Sequence, residues 1–263
     1  MSIGFFDSGV GGLTIWREVV RVLPCESTIY IADSLNAPYG EKSTEEVIQL
    51  SISNTKKLID LGAKVIVVAC NTATTQAIST LRREFNIPFV GIEPAIKPAA
   101  NSSLTKMVGV LATHGTIESE HFNKAKETYS DGVQIITQVG EGLVRLIEEG
   151  KLDSIEMDEL LKKHINELVQ FPIDRLVLGC THYPLLKPQI KRLINENIHI
   201  IDSGIPVATQ VKRVFENLKL NECSDSKHSI ISSGEKSVIK KICAKELDVG
   251  ELDIHYSSLY QSE

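Results

Sequence analysis

Hydrophobic and polar positions follow one recurring rhythm along this chain. A short apolar run ends in a polar exit, and a longer stretch follows with apolar residues three or four apart. The short runs predict strands over Ile3–Phe6, Thr28–Ala32, Val65–Val68, Ile87–Ile92, Met107–Ala112, Val133–Thr137, Arg175–Leu178, Ile198–Asp202 and Ser229–Gly234. The longer ones predict helices over Leu13–Val22, Thr44–Leu61 with Ser43 or Thr44 as its cap, Ala73–Arg83, from about Ser119, over Gly142–Glu149 and Ser154–Gln170, from about Leu185, and over Pro206–Leu218 and Lys236–Glu246. Ala95–Ser103, rich in small residues, reads as a crossing between domains, and Asn221–Ser229 as a loop. Strand and helix alternate throughout, so the class is α/β with mostly parallel sheets. The pattern restarts at Met107: its exit Thr113-His114-Gly115-Thr116 mirrors the opening exit Asp7-Ser8-Gly9, which predicts two similar halves.

Two of the apolar runs end alike. Val65-Ile66-Val67-Val68, all β-branched, reads as a strand buried on both faces, and Cys70-Asn71-Thr72 follows it. Leu176-Val177-Leu178-Gly179 leads likewise into Cys180-Thr181-His182. Asn71 and Thr72 are good cap types for the helix after them. A cysteine between a strand end and a helix start faces unpaired N–H groups, which favour a thiolate and bind carboxylates. A lone cysteine after a strand is more often a core residue; two at equivalent points of two similar halves read as thiols facing one cleft. His182 stands two residues from Cys180 and could take its proton. Asp7 could serve Cys70 if their strands are neighbours. Ser8, Asn71, Thr72, Thr116 and Thr181 are neutral donors suited to a carboxylate or an amine. Cys25, Cys223 and Cys243 lack such polar company and read as structural. One thiol on each side of a flat carbon suits stereochemical inversion: one removes a proton from one face, the other returns a proton to the opposite face. No dinucleotide fingerprint or pyridoxal-phosphate lysine pattern accompanies these residues.

Composition narrows the partners. The chain has 263 residues with a net charge of −6, without a basic footprint for nucleic acid. No apolar run is long enough to cross a membrane. Five widely spaced cysteines and an opening strand without a basic, apolar leader predict a cytoplasmic protein with free thiols.

Taken together, Phe6-Asp7-Ser8-Gly9-Val10-Gly11-Gly12, Pro38-Tyr39-Gly40, Ala69-Cys70-Asn71-Thr72-Ala73 and Leu178-Gly179-Cys180-Thr181-His182-Tyr183-Pro184 resemble the glutamate racemases of the cofactor-independent aspartate/glutamate racemase superfamily. Val90-Gly91-Ile92-Glu93-Pro94 and Ala112-Thr113-His114-Gly115-Thr116 add weaker matches. The resemblance implies interconversion of L- and D-glutamate, without cofactor or metal, supplying D-glutamate for peptidoglycan. It implies Cys70 and Cys180 as the two bases, Asp7 assisting the first and His182 the second, with Asp7, Ser8, Tyr39, Gly40, Asn71, Thr72, Thr116, Thr181 and His182 on the substrate. It further implies one domain from residues 1–97 and 208–263, another from 98–207, the site in the cleft between them, and allows a homodimer. Leu35-Asn36-Ala37 stands where the family carries Ala-Arg-Val, and Gly140–Arg145 replaces its Cys-Pro-x-Phe-Val-Pro; Glu148 matches the glutamate after that stretch. Two other readings remain at this point: aspartate as substrate, or a zinc or redox-sensing module built on the same cysteines.

Overall fold

The computed structural model describes residues 2–129, 131–218, 226–246 and 254–259. In chain order the elements are β1 (Ser2–Asp7), α1 (Leu13–Val22), β2 (Ser27–Ala32), α2 (Thr44–Asp60), β3 (Ala63–Val68), α3 (Asn71–Glu84), β4 (Phe89–Gly91), α4 (Ile96–Ser102), β5 (Met107–Ala112), α5 (His114–Ile117), α6 (Glu120–Tyr129), β6 (Gln134–Val139), α7 (Leu143–Glu148), α8 (Ile155–Val169), β7 (Arg175–Gly179), α9 (Lys187–Leu193), β8 (His199–Ile201), α10 (Gly204–Asn217), β9 (His228–Ser232), α11 (Lys236–Lys241) and β10 (Ile254–Ser258). The fold is α/β with two parallel sheets. Six strands run in the order β10-β9-β2-β1-β3-β4 and four in the order β6-β5-β7-β8.

Local chemistry explains most boundaries. Ser43 caps α2 reciprocally with Glu46: the Ser43 side chain accepts from the Glu46 N–H, and the Glu46 carboxylate accepts from the Ser43 N–H. In α1, Leu13, Trp16, Val19 and Val20 form the buried stripe of an amphipathic helix. Ile66, Val67 and Val68 of β3 are fully buried, as expected of a parallel strand covered on both faces.

Both sheets are wound the same way. In the larger one β1 has β2 on one side and β3 on the other; in the smaller one β5 has β6 on one side and β7 on the other. The chain reverses direction across each sheet at β1/β3 and at β5/β7. Side chains beyond the strand ends at such a reversal meet a crevice that no crossover helix fills. Phe6 pairs with Val68, and Ala112 with Gly179, so Asp7 stands beside the exit of β3 and Thr113 beside that of β7. One core cluster joins Phe5 of the larger sheet and Leu111 and Leu178 of the smaller one with Trp16 of α1 and Leu143 of α7.

The structure corrects the sequence reading in five places. The Ala95–Ser103 crossing contains a helix, α4. The segment before α9 is a 3₁₀ turn, Tyr183–Leu186, and α9 begins two residues later than expected. Cys25 is exposed, not a core residue. His228, read as part of a loop, opens β9 one residue before the expected strand start at Ser229, while Cys223 and the rest of 221–225 lie outside the described residues. β10, which the pattern did not predict, pairs parallel with β9 at the sheet edge.

Candidate active site

Cys70 ends the β3 exit with extended backbone and is itself the N-cap of α3: its Sγ accepts from the Ala73 N–H at 3.5 Å. The cap assigned to Asn71 and Thr72 therefore belongs to the cysteine. Asn71 is free for other work. Its side chain is buried, and neither its Oδ1 nor its Nδ2 meets a partner among the described residues. A buried amide left open in this way awaits a ligand with both donor and acceptor groups, or water.

A narrow cavity of about 10 Å³, too small in this closed form for more than a water molecule, is lined by Ser8, Pro38, Tyr39, Gly40, Cys70, Asn71, Thr72, Thr113, Val144, Cys180, Thr181 and His182. Nine residues selected from the sequence thus line one cavity, and both sulfurs are among them. Asp7 and Thr116 stand just behind it. Thr116 is fully buried and bonds Thr72 and Thr113 through their hydroxyls at 3.3 and 3.0 Å. Thr113 and Val144, which the sequence reading did not single out, complete the wall; Thr113 sat in the mirrored exit that pointed to Thr116. Cys70 and Cys180 are only 5% and 6% exposed. An amino acid reaches them only if the two strand-end faces part.

The thiols have different neighbours. Asp7 Oδ2 accepts from the Gly12 N–H at 2.8 Å, and Oδ1 accepts from the Thr181 hydroxyl at 3.4 Å across the cleft. Burial raises the Asp7 carboxyl from 3.8 to about 6, against the pull of the His182 charge, the Gly12 N–H and a bond from the Cys70 thiol. Burial, and then the Asp7 charge, push the Cys70 thiol well above its ordinary value, so it keeps its proton at neutral pH. On the other side, His182 Nδ1 lies 3.7 Å from Cys180 Sγ, and Nε2 lies 2.5 Å from Glu148 Oε1. Burial alone would strip the imidazole of charge. The bonds to Cys180 and Glu148, with their negative charges, reverse this and hold His182 protonated well above the usual range. Glu148 Oε1 also accepts from the Val10 N–H at 2.7 Å, so one carboxylate ties α7 to the glycine turn after β1.

That turn must be glycine-rich for a steric reason. A Cβ on Gly9 would lie 1.9 Å from Glu148 Oε1, and one on Gly11 would lie 2.3 Å from His182 Nδ1. The backbone has to come this close for the His182–Glu148 pair to seat.

No described helix is long and apolar enough to cross a membrane. Among the described residues no three His, Cys, Asp or Glu side chains are grouped as a metal site.

The chain matches the family model described as Asp/Glu/Hydantoin racemase over residues 13–211. It is 45% identical over 214 residues to a glutamate racemase of Ectopseudomonas mendocina (strain ymp), covering 81% of each chain. Its fold is similar to that of the Bacillus anthracis glutamate racemase isoform RacE1, with a TM-score of 0.85 at 32% identity over 98% of this chain and 97% of that one. It is similar also to an Escherichia coli glutamate racemase solved with L-glutamate and the activator UDP-MurNAc-Ala, with a TM-score of 0.87 at 28% identity over 100% and 99%.

Proposed function

This chain belongs to the Asp/Glu/Hydantoin racemase family, and from that premise we propose that it interconverts L- and D-glutamate by proton transfer between Cys70, Cys180 and the substrate α-carbon. It is an amino-acid racemase, an isomerase. Glutamate as the substrate rests on the relatives, one of which was solved with L-glutamate in place. The observation that carries the mechanism is the one cavity lined by both sulfurs, each backed by its own acid–base partner.

In one direction the thiolate of one cysteine takes the α-proton, the electron pair of the broken C–H bond stays on the substrate, and the thiol of the other cysteine protonates the opposite face. The cysteines exchange protonation states with each turnover, and the reverse reaction starts from the exchanged form. Asn71, Ser8, Thr72 and Thr181 supply neutral donors for the substrate carboxylates and for charge developing at the α-carbon. Asp7 accepts from Cys70, and His182, charged by Glu148, steadies a thiolate at Cys180. Residues 1–97 with 208–263, and residues 98–207, act as the two domains that open for substrate and close on it. The same reading places the protein in the cytoplasm, supplying D-glutamate for peptidoglycan, and includes a homodimer.

Either enantiomer incubated in heavy water without added cofactor gains deuterium at the α-carbon as it racemises. Cys70→Ser and Cys180→Ser each lower racemisation by about a thousandfold or more. Full activity in both would reject the two-thiol mechanism. Parallel kinetics with aspartate separate the two substrates; a higher kcat/KM for aspartate would overturn the glutamate reading.

A further inference from the structure

Residues 33–43 place Tyr39 and Gly40 on the cavity, yet little regular structure holds them. Two 3₁₀ turns, Ser34–Asn36 and Tyr39–Glu41, are closed by four backbone bonds, of 2.9 Å (Asn36 N–H to Asp33 O), 3.2 Å (Ala37 N–H to Ser34 O), 3.4 Å (Glu41 N–H to Pro38 O) and 3.2 Å (Lys42 N–H to Tyr39 O). Side chains therefore decide where this segment sits. The Tyr39 hydroxyl donates to Asp33 Oδ2 at 2.7 Å and accepts from Asn54 Nδ2 at 3.1 Å. Asp33 Oδ1 accepts from Asn36 Nδ2 at 2.9 Å, and the Asp33 N–H donates to the Asp7 carbonyl at 3.0 Å. Asp33, Tyr39 and Asn54 are 2%, 1% and 5% exposed. Tyr39 lines the cavity; neither of its partners does. The phenol thus presents its ring to the cavity and its hydroxyl to a buried carboxylate at the end of β2 and an amide in the middle of α2.

We propose that Asp33 and Asn54 are positioning residues, which clamp the Tyr39 hydroxyl from two elements and so fix the Tyr39–Gly40 turn against the substrate. The proposal rests on the reading of that turn as part of the substrate site. A bond to a buried carboxylate is strong and directional, and this one joins the turn to the strand beside Asp7. Across the cleft, a Cβ on Gly40 would meet Thr113 Cβ at 2.7 Å, so displacement of the turn also disturbs the opposite wall.

Asn54→Ala removes one arm of the clamp, and Tyr39→Phe, which loses the shared hydroxyl, removes both. Both raise KM for the two enantiomers about tenfold and leave kcat within about threefold, the size of a lost hydrogen bond to a buried polar partner. Asp33→Ala does the same or more. Asp33→Asn recovers most of the loss, because its amide oxygen can still accept from Tyr39 while its amino group donates to Asn36, whose side-chain amide turns over to offer Oδ1 in place of Nδ2. Amide exchange supplies a readout that needs no substrate: residues 39–42 exchange faster in Asn54→Ala, while residues 71–75 keep their protection. A wild-type KM with a reduced active fraction, or exchange unchanged at 39–42, would overturn the proposal and leave Asp33 and Asn54 as structural residues. If the wild type racemises no glutamate, the functional reading fails, and the exchange pattern still decides the clamp. Should Asp33→Ala not fold, Asn54→Ala carries the same test.

Discussion

The two halves of the cavity are alike in placement and unlike in chemistry. Cys70 and Cys180 each follow the strand beside the first strand of their sheet, at the point where the chain reverses. Topology alone brings them to one crevice. Their surroundings then diverge. Cys70 caps a fourteen-residue helix, receives an N–H from Ala73, and has a carboxyl as its partner. Cys180 is followed by a 3₁₀ turn and has an imidazole as its partner, with a glutamate behind it. One half holds a proton on sulfur; the other holds positive charge beside sulfur. A repeated fold can thus supply matched positions while a few residues give each position its own proton affinity, which the proposed exchange of protons between two thiols requires.

The strongest way to break the comparison is to unseat one half and leave the other. Gly11→Ala sets a methyl group against the His182 ring and its backbone nitrogen, with contacts of 2.3 to 2.6 Å. Neither can retreat easily, because His182 is 1% exposed and Glu148 holds its far side. Misplacing a catalytic group by about an ångström costs on the order of a hundredfold. We expect kcat to fall at least that far, and the Asp7 carboxyl to titrate above about 6 as the pull of the His182 charge weakens; carbon-13 NMR of the Asp7 carboxyl checks the second part. Normal activity would mean that the His182 half tolerates displacement.

Asp7→Asn removes the carboxyl from the other half. Activity falls by about a hundredfold or more, a common loss for an acid–base partner, and any acid limb of kcat/KM near pH 6 disappears. Stability moves the opposite way. The folded protein holds the Asp7 proton up to about 6, whereas the unfolded chain releases it near 3.8. The contribution is fully present below 3.8 and is lost as pH rises through about 6. A shift of about two units corresponds to about 3 kcal/mol. Relative to wild type, the variant therefore gains up to about 3 kcal/mol between pH 4 and pH 7, read by urea unfolding at both pH values. A gap that does not change with pH would show that Asp7 is not the titrating group.

Glu148→Gln keeps the shape of the second half and removes the charge behind it. His182 then loses part of the support that opposes its burial, and its proton affinity falls toward the usual histidine range. We expect a drop in kcat of about tenfold at neutral pH, in keeping with loss of a group that orients and charges a catalytic histidine. The loss grows as pH rises and shrinks below about 6.5, where an ordinary histidine is charged. A drop of the same size at every pH would assign Glu148 to the Val10 contact and not to the imidazole.

What the sequence disclosed follows the distance over which each feature is written. The α1 boundaries were legible because Leu13, Trp16, Val19 and Val20 repeat at helical spacing, and the start of α2 because Ser43 and Glu46 form a local capping pair. The two cysteines were legible because strand, thiol and polar exit are contiguous. β10 was not, since Ile254-His255-Tyr256-Ser257-Ser258 carries little apolar alternation and is made a strand by its pairing with β9. Nor was the Asp33–Tyr39–Asn54 clamp, whose members come from a strand end, a turn and a helix. Glu148 lies 34 residues from His182, and only its match to the family pattern marked it. The cap was misassigned because cap preference ranks oxygen-bearing side chains first. At this site the sulfur takes the N–H, and Asn71 turns its amide to the cavity.

The smallest expected effect is also the sharpest test of how Cys70 differs from Cys180. The Cys70 thiol has one proton and two acceptors within reach, the Asp7 carboxylate and the Ser8 hydroxyl at 3.8 Å. Sulfur–hydrogen donors are weak, and a charged acceptor outcompetes a neutral one at that distance. Above pH 6, where Asp7 is ionised, the proton is directed to Asp7, and Ser8→Ala changes kcat by less than about threefold, the scale of one weak hydrogen bond. Below pH 6 the carboxyl is neutral and Ser8 becomes the better acceptor, so the same substitution costs more. Because Ser8 also donates to the substrate in the proposed reading, KM rises as well, with little dependence on pH. A pH series of kcat and KM for Ser8→Ala separates the two roles. A large loss of kcat at pH 8 would mean that Ser8, not Asp7, governs the first thiol, and the contrast between the two halves would have to be redrawn around a hydroxyl.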